Sequence, residues 1–185
     1  MGQMGFLVDA TQCSGCKTCQ IACKDAKDLP VGALFRRILE LEGGVFPDVW
    51  AASLSLACNH CADPLCLPNC PVAAISKDPE SGLVWQNSDI CIGCERCVES
   101  CPYHAPAYIP DAMIVGKCDG CRDLVSEGKQ PVCIAACSTR ALQFGDIEAL
   151  RTAHGSEELV NSVAGLPSPD TVPSLLIKAR REMLP

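Results

Sequence analysis

Sixteen cysteines in a chain of 185 residues dominate whatever chemistry this sequence can perform, and they fall into four groups. Group one is Cys13-x2-Cys16-x2-Cys19-x3-Cys23, and group two is Cys58-x2-Cys61-x4-Cys66-x3-Cys70 followed by Pro71. Group three is Cys91-x2-Cys94-x2-Cys97-x3-Cys101 followed by Pro102, and group four is Cys118-x2-Cys121-x11-Cys133-x3-Cys137. Each group opens with C-x2-C and closes with C-x3-C, so the cysteine group is the dominant internal repeat. In the 2-2 spacing a tight loop brings three thiolates to three irons of one cubane and points loop N–H groups at its sulfides. The fourth cysteine, three residues on, is carried round a helical turn and faces away. It therefore ligates a second cluster, and fourth ligands are exchanged between paired groups.

Two other chemistries compete for the same residues. A tetrahedral zinc site draws on two separate pairs, whereas groups one and three each crowd four cysteines at 2-2-3 spacing, which is awkward for one ion and natural for shared cubanes. Disulfides suit exported chains. The amino terminus, Met1 to Asp9, has no basic n-region, no long apolar stretch and no twin arginine, so the expectation is a chain without an export address of its own. His60 within group two and His104 after group three are candidates either to ligate iron or to tune a cluster. Lys17 and Lys24 sit beside group one in the sequence, where a cation would raise a cluster potential. No Ser-His-Asp set, phosphate loop or pair of carboxylates suggests catalysis by this chain alone.

Composition narrows the classes further. Four Phe, two Trp and two Tyr are too few for an aromatic core, so metal sites are expected to fill the interior. A formal charge of -7 without a basic block argues against nucleic acid as a partner. Apolar runs such as Ala51 to Ala57 fall far short of the roughly 20 residues that span a bilayer, so any membrane attachment comes through another subunit.

The elements that must position the cysteines follow from local pattern. Phe6 to Ala10 reads as a strand entering group one. Ala33 to Leu41 and Ala52 to Ala57, around the breakers Gly43, Gly44 and Pro47, read as an inserted pair of strands. Between groups two and three, Ala73 to Ser76 and Gly82 to Trp85 flank a proline-containing turn and read as a hairpin. Short helices are expected over Thr18 to Ala26, Glu95 to Cys101, Arg122 to Glu127, and Ile147 to His154 with Asp146 as N-cap and Gly155 past its end. The run Leu166 to Pro173 is too proline-rich for a helix and reads as an extended surface tail, with Leu175 to Ile177 docking on something. Arg36 and Arg37, adjacent on a strand, should point opposite ways, one inward or across an interface and the other into solvent.

The order of the groups, with C-x2-C-x4-C in group two and the x11 spacer in group four, resembles the iron-sulfur (beta) subunits of dimethyl sulfoxide reductase-type molybdopterin oxidoreductases, and also polysulfide and thiosulfate reductase beta subunits. The likeness covers roughly residues 4 to 155 and extends beyond the cysteines, to Gly15-Cys16-Lys17-Thr18-Cys19, Phe35-Arg36-Arg37-Ile38, Ser55-Leu56-Ala57-Cys58-Asn59-His60-Cys61, Cys91-Ile92-Gly93-Cys94 and Lys117-Cys118-Asp119-Gly120-Cys121. It implies that group one pairs with group four and group two with group three. Cluster one would take Cys13, Cys16, Cys19 and Cys137, and cluster two Cys118, Cys121, Cys133 and Cys23. Cluster three would take Cys58, Cys61, Cys66 and Cys101, and cluster four Cys91, Cys94, Cys97 and Cys70. Some relatives hold a three-iron cluster through a tryptophan at the second position of group three; Cys94 stands here, so four 4Fe-4S clusters are expected. Group four lacks the usual proline, with Ser138 after Cys137, and no transmembrane anchor follows it, which favours the soluble reductase-type branch.

The expected fold is α+β, two intertwined ferredoxin-like modules related by a pseudo-twofold with an inserted β segment, cored by four clusters. The first module would comprise 1–30 and 112–145, the insertion 31–57, the second module 58–111, and a short helix with an extended tail 146–185. The expected function is that of a wire between a large molybdopterin (bis-guanine dinucleotide type) catalytic subunit and an integral membrane quinone-binding subunit or other redox partner. The protein would lie in the cytoplasm, or be membrane-associated or exported through its partners. A freestanding polyferredoxin carrier is the alternative. Leu175 to Ile177, and the insertion around Phe35 and Trp50, are needed by no cluster and read as surface for a permanent neighbour.

Overall fold

The computed structural model of the protein describes residues 2–155, 158–167 and 170–184 and has a mixed α and β fold. Its largest sheet is built on the first strand, β1 (Met4–Asp9). This apolar run lies between β8 (Leu142–Asp146), antiparallel to it, and β10 (Leu175–Lys178), parallel to it, with β9 (Leu159–Val160) on the far side of β10. Side chains alternate across a strand, and the two faces of this sheet do different work. Leu7, Leu159 and Leu176 pack with Ile147 and Leu150 of helix α5 (Ile147–His154) on one face. Phe6, Val8, Leu142, Phe144, Leu175 and Ile177 face the other way, into the core that contains most of the buried cysteines.

Helix α5 starts where the sequence says it should. The Asp146 carboxylate accepts from the Glu148 and Ala149 N–H groups at 3.1 and 3.0 Å, and Gly155 follows its last residue in a positive-φ conformation, one that costs glycine little.

The tail departs from expectation. Leu175, Leu176 and Ile177 are at most 2 % exposed, so they form an interior strand of this protein and not a surface for a neighbour. The proline-rich run, part of which (Ser168 and Pro169) lies outside the described residues, precedes β10. Proline bars a helix but not a strand beyond it. Because Leu176 is fully buried beneath α5, Leu176→Ala is expected to cost about 2–5 kcal/mol. Denaturant unfolding of the anaerobically handled protein measures this, and a loss below about 1 kcal/mol would mean that β10 is not part of the cooperative core.

The inserted strands are a single long hairpin, β2 (Arg37–Val45) and β3 (Asp48–Leu56), paired from Arg37↔Leu56 out to Val45↔Asp48. Gly43 and Gly44 lie within β2 and do not break it: a Cβ at Gly43 would meet the Trp50 indole at 2.8 Å, so the absent side chain admits the ring. Leu54 and Leu56 at its base are buried, whereas Val45, Phe46 and Val49 at its tip are exposed. Phe35 is buried against Gly116, so it is not the partner surface that the sequence suggested, whereas Trp50 lies half-buried over Gly43.

Two small hairpins complete the frame, β4 (Ile75–Lys77) with β5 (Val84–Gln86), and β6 (Ala107–Ile109) with β7 (Ile114–Gly116). The helices beside the cysteine groups are short: α1 (Thr18–Ala26), α2 (Arg96–Glu99), α3 (Arg122–Ser126) and α4 (Val132–Ala135). A second core of Ile75, Val84, Val115, Cys66 and Cys97 lies among β4, β5 and β7. Among the described residues no helix is long and apolar enough to cross a membrane.

Candidate functional site

The four cysteine loops share one backbone device. The residue before the second cysteine has positive φ in every group: Gly15 (70°), His60 (43°), Gly93 (66°) and Gly120 (72°). That conformation tightens the C-x2-C turn at little cost for glycine. Where His60 replaces glycine the strain is tolerated only because its surroundings hold it. A second turn follows three of the groups, with Ala73, His104 and Arg140 at positive φ and their N–H groups donating to the carbonyls of Cys70, Cys101 and Cys137. The sequence spacing thus becomes repeated loop geometry.

Strand pairing then brings distant groups together. β1 enters group one and β8 leaves group four, and their antiparallel pairing sets Val8 opposite Leu142. α1, carrying Cys19 and Cys23 one helical turn apart, packs on α4, which carries Cys133. The β4–β5 hairpin does the same for groups two and three, with the Asn87 N–H donating to the Ala74 carbonyl at 2.7 Å.

All sixteen cysteines are free thiols, and their mutual electrostatics define four neighbourhoods. Burial raises the Cys13 thiol, and Cys19, Cys137 and Cys16 raise it further. Burial pushes Cys23 up to about 11, aided by Cys133 and Cys121. Cys66 is pushed up to about 12 by burial, then by Cys58, Cys101 and Cys61. Cys97 is pushed up to about 11 by burial, then by Cys91, Cys70 and Cys94. Cys19 also feels Cys133, Cys118 feels Cys58, and Cys66 shares a buried core with Cys97, Cys70 and Cys91, so each neighbourhood adjoins the next.

Two of them enclose space. Cys58, Cys61, Cys66 and Cys101 line one cavity with Lys117, Tyr103 and Thr171. Cys70, Cys91, Cys94 and Cys97 line a second. Among the described residues no three His, Cys, Asp or Glu side chains converge on a single ion; a cubane needs no such convergence, since each thiolate meets its own iron.

Buried donors without partners test whether these sites suit a sulfide-bearing group. Among the described residues, Arg36 Nη2, Ser100 Oγ, Tyr103 Oη and Thr171 Oγ1 have no hydrogen-bond partner, and such an atom costs about 1–3 kcal/mol when buried. Tyr103 and Thr171 line the cavity of Cys58, Cys61, Cys66 and Cys101, and Arg36 lies among the thiols of groups one and four. Inorganic sulfide and thiolate are the acceptors that these donors lack, so the residues fit an iron-sulfur cluster.

The cations and histidines differ from the sequence reading. Lys17 pairs with Glu40 at 3.0 Å on the surface, and Lys24 donates to the Pro30 and Ala33 carbonyls, so the ammonium of Lys24 is neither freely solvated nor given over to the cysteines. Arg37 donates to the Tyr103 and His104 carbonyls. The buried cations are Arg36, 1 % exposed, and Lys117, 6 % exposed. The sequence marked Lys117 only as part of the run that resembles the family, not as a buried cation; its ammonium donates to the Val84 and Cys118 carbonyls.

His60 is fully buried. Its Nδ1 accepts from the Val84 N–H at 3.0 Å, which leaves the ring proton on Nε2, 3.9 Å from Cys118 Sγ. Burial, with Lys117 and Arg36, holds the imidazole well below its usual range and therefore neutral. His104 is exposed, in the turn after Cys101.

Comparison with known proteins agrees with this donor set. Residues 49–147 match the 4Fe-4S dicluster domain. The protein is 45% identical over 192 residues to YnfG of Escherichia coli, a probable anaerobic dimethyl sulfoxide reductase subunit, covering 99% of this sequence and 92% of that one. It is 44% identical over 191 residues to the B subunit of anaerobic dimethyl sulfoxide reductase from Haemophilus influenzae, covering 98% and 91%. It is also 37% identical over 146 residues to protein NrfC of Escherichia coli, covering 78% and 66%.

Proposed function

This protein belongs to the 4Fe-4S dicluster family that includes the B subunit of anaerobic dimethyl sulfoxide reductase, and on that premise we propose that it is the electron-transfer subunit of such an oxidoreductase. Four 4Fe-4S clusters, when bound, supply one-electron transfer. The protein itself provides ligands and a dry, tuned path, and no catalytic site of its own. Cys13, Cys16, Cys19 and Cys137 hold the first cluster, and Cys118, Cys121, Cys133 and Cys23 the second. Cys58, Cys61, Cys66 and Cys101 hold the third, and Cys91, Cys94, Cys97 and Cys70 the fourth. The four thiol neighbourhoods support this assignment, as does the pairing of β1 with β8. Two interlocked ferredoxin-like modules, 1–30 with 112–145 and 58–111, follow from it.

The observation that carries the reading is the row of thiol sets with an exposed cysteine at each end: Cys16 in the first and Cys94 in the last. The second set, Cys23, Cys118, Cys121 and Cys133, is buried throughout. A row open at both ends suits passage between two proteins. A molybdopterin catalytic subunit at the Cys16 end and a quinone-reactive membrane subunit at the Cys94 end are the partners that fit. The exposed tip of the β2–β3 hairpin, Val45, Phe46 and Val49, is apolar surface that a permanent neighbour would cover.

Affinity purification from the native organism, under anaerobic conditions, is expected to recover a large molybdenum-containing subunit in equal amount. Recovery of a stable monomer that reduces several unrelated enzymes would replace this reading with a freestanding polyferredoxin.

A further inference from the structure

Arg36 is a full-length cation with almost no water contact, and among the described residues no carboxylate pairs with it. Burying an uncompensated charge costs several kcal/mol, so something in this interior must oppose it. Its surroundings are specific. The guanidinium carbon stands 4.6 Å over the centre of the Phe6 ring, and Nη1 donates to Ser55 Oγ at 3.1 Å and to the Ser55 carbonyl at 3.4 Å. Ser55 Oγ is in turn 3.3 Å from Cys19 Sγ. Because Ser55 Oγ accepts from Arg36, its own hydrogen is free to point at Cys19. Nη2 has no partner.

The same core carries the thiols of the second proposed set. Phe6, under the guanidinium, is buried in one cluster with Cys23, Cys118 and Cys133, and its ring lies 6.1 Å from that of His60, whose Nε2 is 3.9 Å from Cys118 Sγ; Cys19 belongs to the first set.

We infer that Arg36 is a positioning residue for electron transfer, a buried counter-charge shared by the first and second ligand sets that raises the midpoint potentials of the clusters they hold. The inference rests on the cluster reading above. Reduction adds negative charge, so a fixed cation alongside favours the reduced form, and the low dielectric strengthens the effect. Arg36 reaches the first set through Ser55 and Cys19. Its Nη2, without a partner among the described residues, is a donor open to inorganic sulfide. The third and fourth sets lie beyond its immediate shell: the thiols of Cys66 and Cys101 feel Lys117, and Cys97 responds to burial and to its own set.

Arg36→Gln, Arg36→Lys and Ser55→Ala in the full-length protein, isolated anaerobically with its partners, test this by iron and sulfide assay and by potentiometric titration followed by electron paramagnetic resonance. Arg36→Gln is expected to lower two of the four midpoints and leave two unmoved. Arg36→Lys should restore most of the shift, and Ser55→Ala should lower only one of the two. Four unchanged midpoints at full iron content, or four equal shifts, would overturn the inference. If Arg36→Gln fails to assemble, Ser55→Ala decides: one lowered midpoint supports the shared counter-charge, and none lowered at full iron content overturns it. A shortfall of iron and sulfide in the unaltered protein would instead sink the cluster reading.

Discussion

Anaerobically isolated protein is expected to carry about sixteen iron atoms and about sixteen acid-labile sulfides per polypeptide, because each of the four proposed sets of four thiolates would hold a four-iron cubane. Removing that iron is expected to unfold it. Its largest core is not purely hydrocarbon: Cys19, Cys23, Cys58, Cys118, Cys133 and Cys137 are buried in the same cluster as Phe6, Val8, Leu54 and Ile177. Extraction of the metal therefore opens the middle of that core. Ligand binding to the native state alone is also folding free energy, which the unfolded polypeptide forfeits. Circular dichroism and protease sensitivity before and after chelation under reducing conditions measure the effect. Zinc without sulfide in the isolated protein would end the iron-sulfur reading, and a protein that keeps its cooperative unfolding transition after chelation would show that the aliphatic sheet suffices alone. The latter outcome has some physical basis, because Leu7, Leu54, Leu176, Ile177 and Met183 are fully buried and form more core than eight aromatic residues in the whole sequence would suggest.

Crossed ligation gives the second large effect. Cys137→Ser is expected to abolish or reshape the same spectroscopic signal as Cys13→Ser, although 124 positions separate them in the numbering. Cys23→Ser is expected to match Cys118→Ser. The geometry behind this is helical. Cys19 and Cys23 lie at i and i+4 on α1, so they share a face but stand one turn apart along it, and α4 packs against that helix. Both thiols feel Cys133 and Arg36, but Cys19 also sits beside Ser55 and feels Cys137, whereas Cys23 feels Cys121. Substituting a serine oxygen for a soft thiolate weakens one ligand of one cluster, so each variant should lose or convert a single signal and leave three. Cys23→Ser behaving like Cys13→Ser would mean that each group closes on its own cluster.

Much of this protein is written in short stretches of sequence. The cysteine spacings specify tight loops because positive-φ residues at fixed offsets, Gly15, Gly93 and Gly120, turn the backbone back on itself within three residues. Helix α5 is legible because its cap, Asp146, and its stop, Gly155, act within one turn of the residues they serve. The β4–β5 hairpin is legible for the same reason. These are interactions between near neighbours, and residue type with spacing is enough to state them. The cysteine content and the family to which the protein belongs follow from that local pattern.

Charge placement shows where local reading stops. Lys17 and Lys24 lie beside group one in sequence, yet they are engaged by Glu40 and by loop carbonyls. Sequence adjacency to a thiolate says nothing about which way a long flexible side chain turns. The cations that do reach the thiols, Arg36 and Lys117, are buried at sites assembled from several distant segments. Arg36 needs Phe6 from β1, Ser55 from β3 and cysteines from groups one and four before its burial is tolerable.

The sequence by itself determined the iron-sulfur loops, the capped helix and the kind of cofactor, because each rests on contacts a few residues long. Only the tertiary structure decided that Leu175 to Ile177 form an interior strand beside β1, that His60 is buried and neutral, and that Arg36 is buried between Phe6 and Ser55. Each of those depends on partners tens to more than a hundred residues away, and pairing at that range is settled by burial shared among all the elements at once.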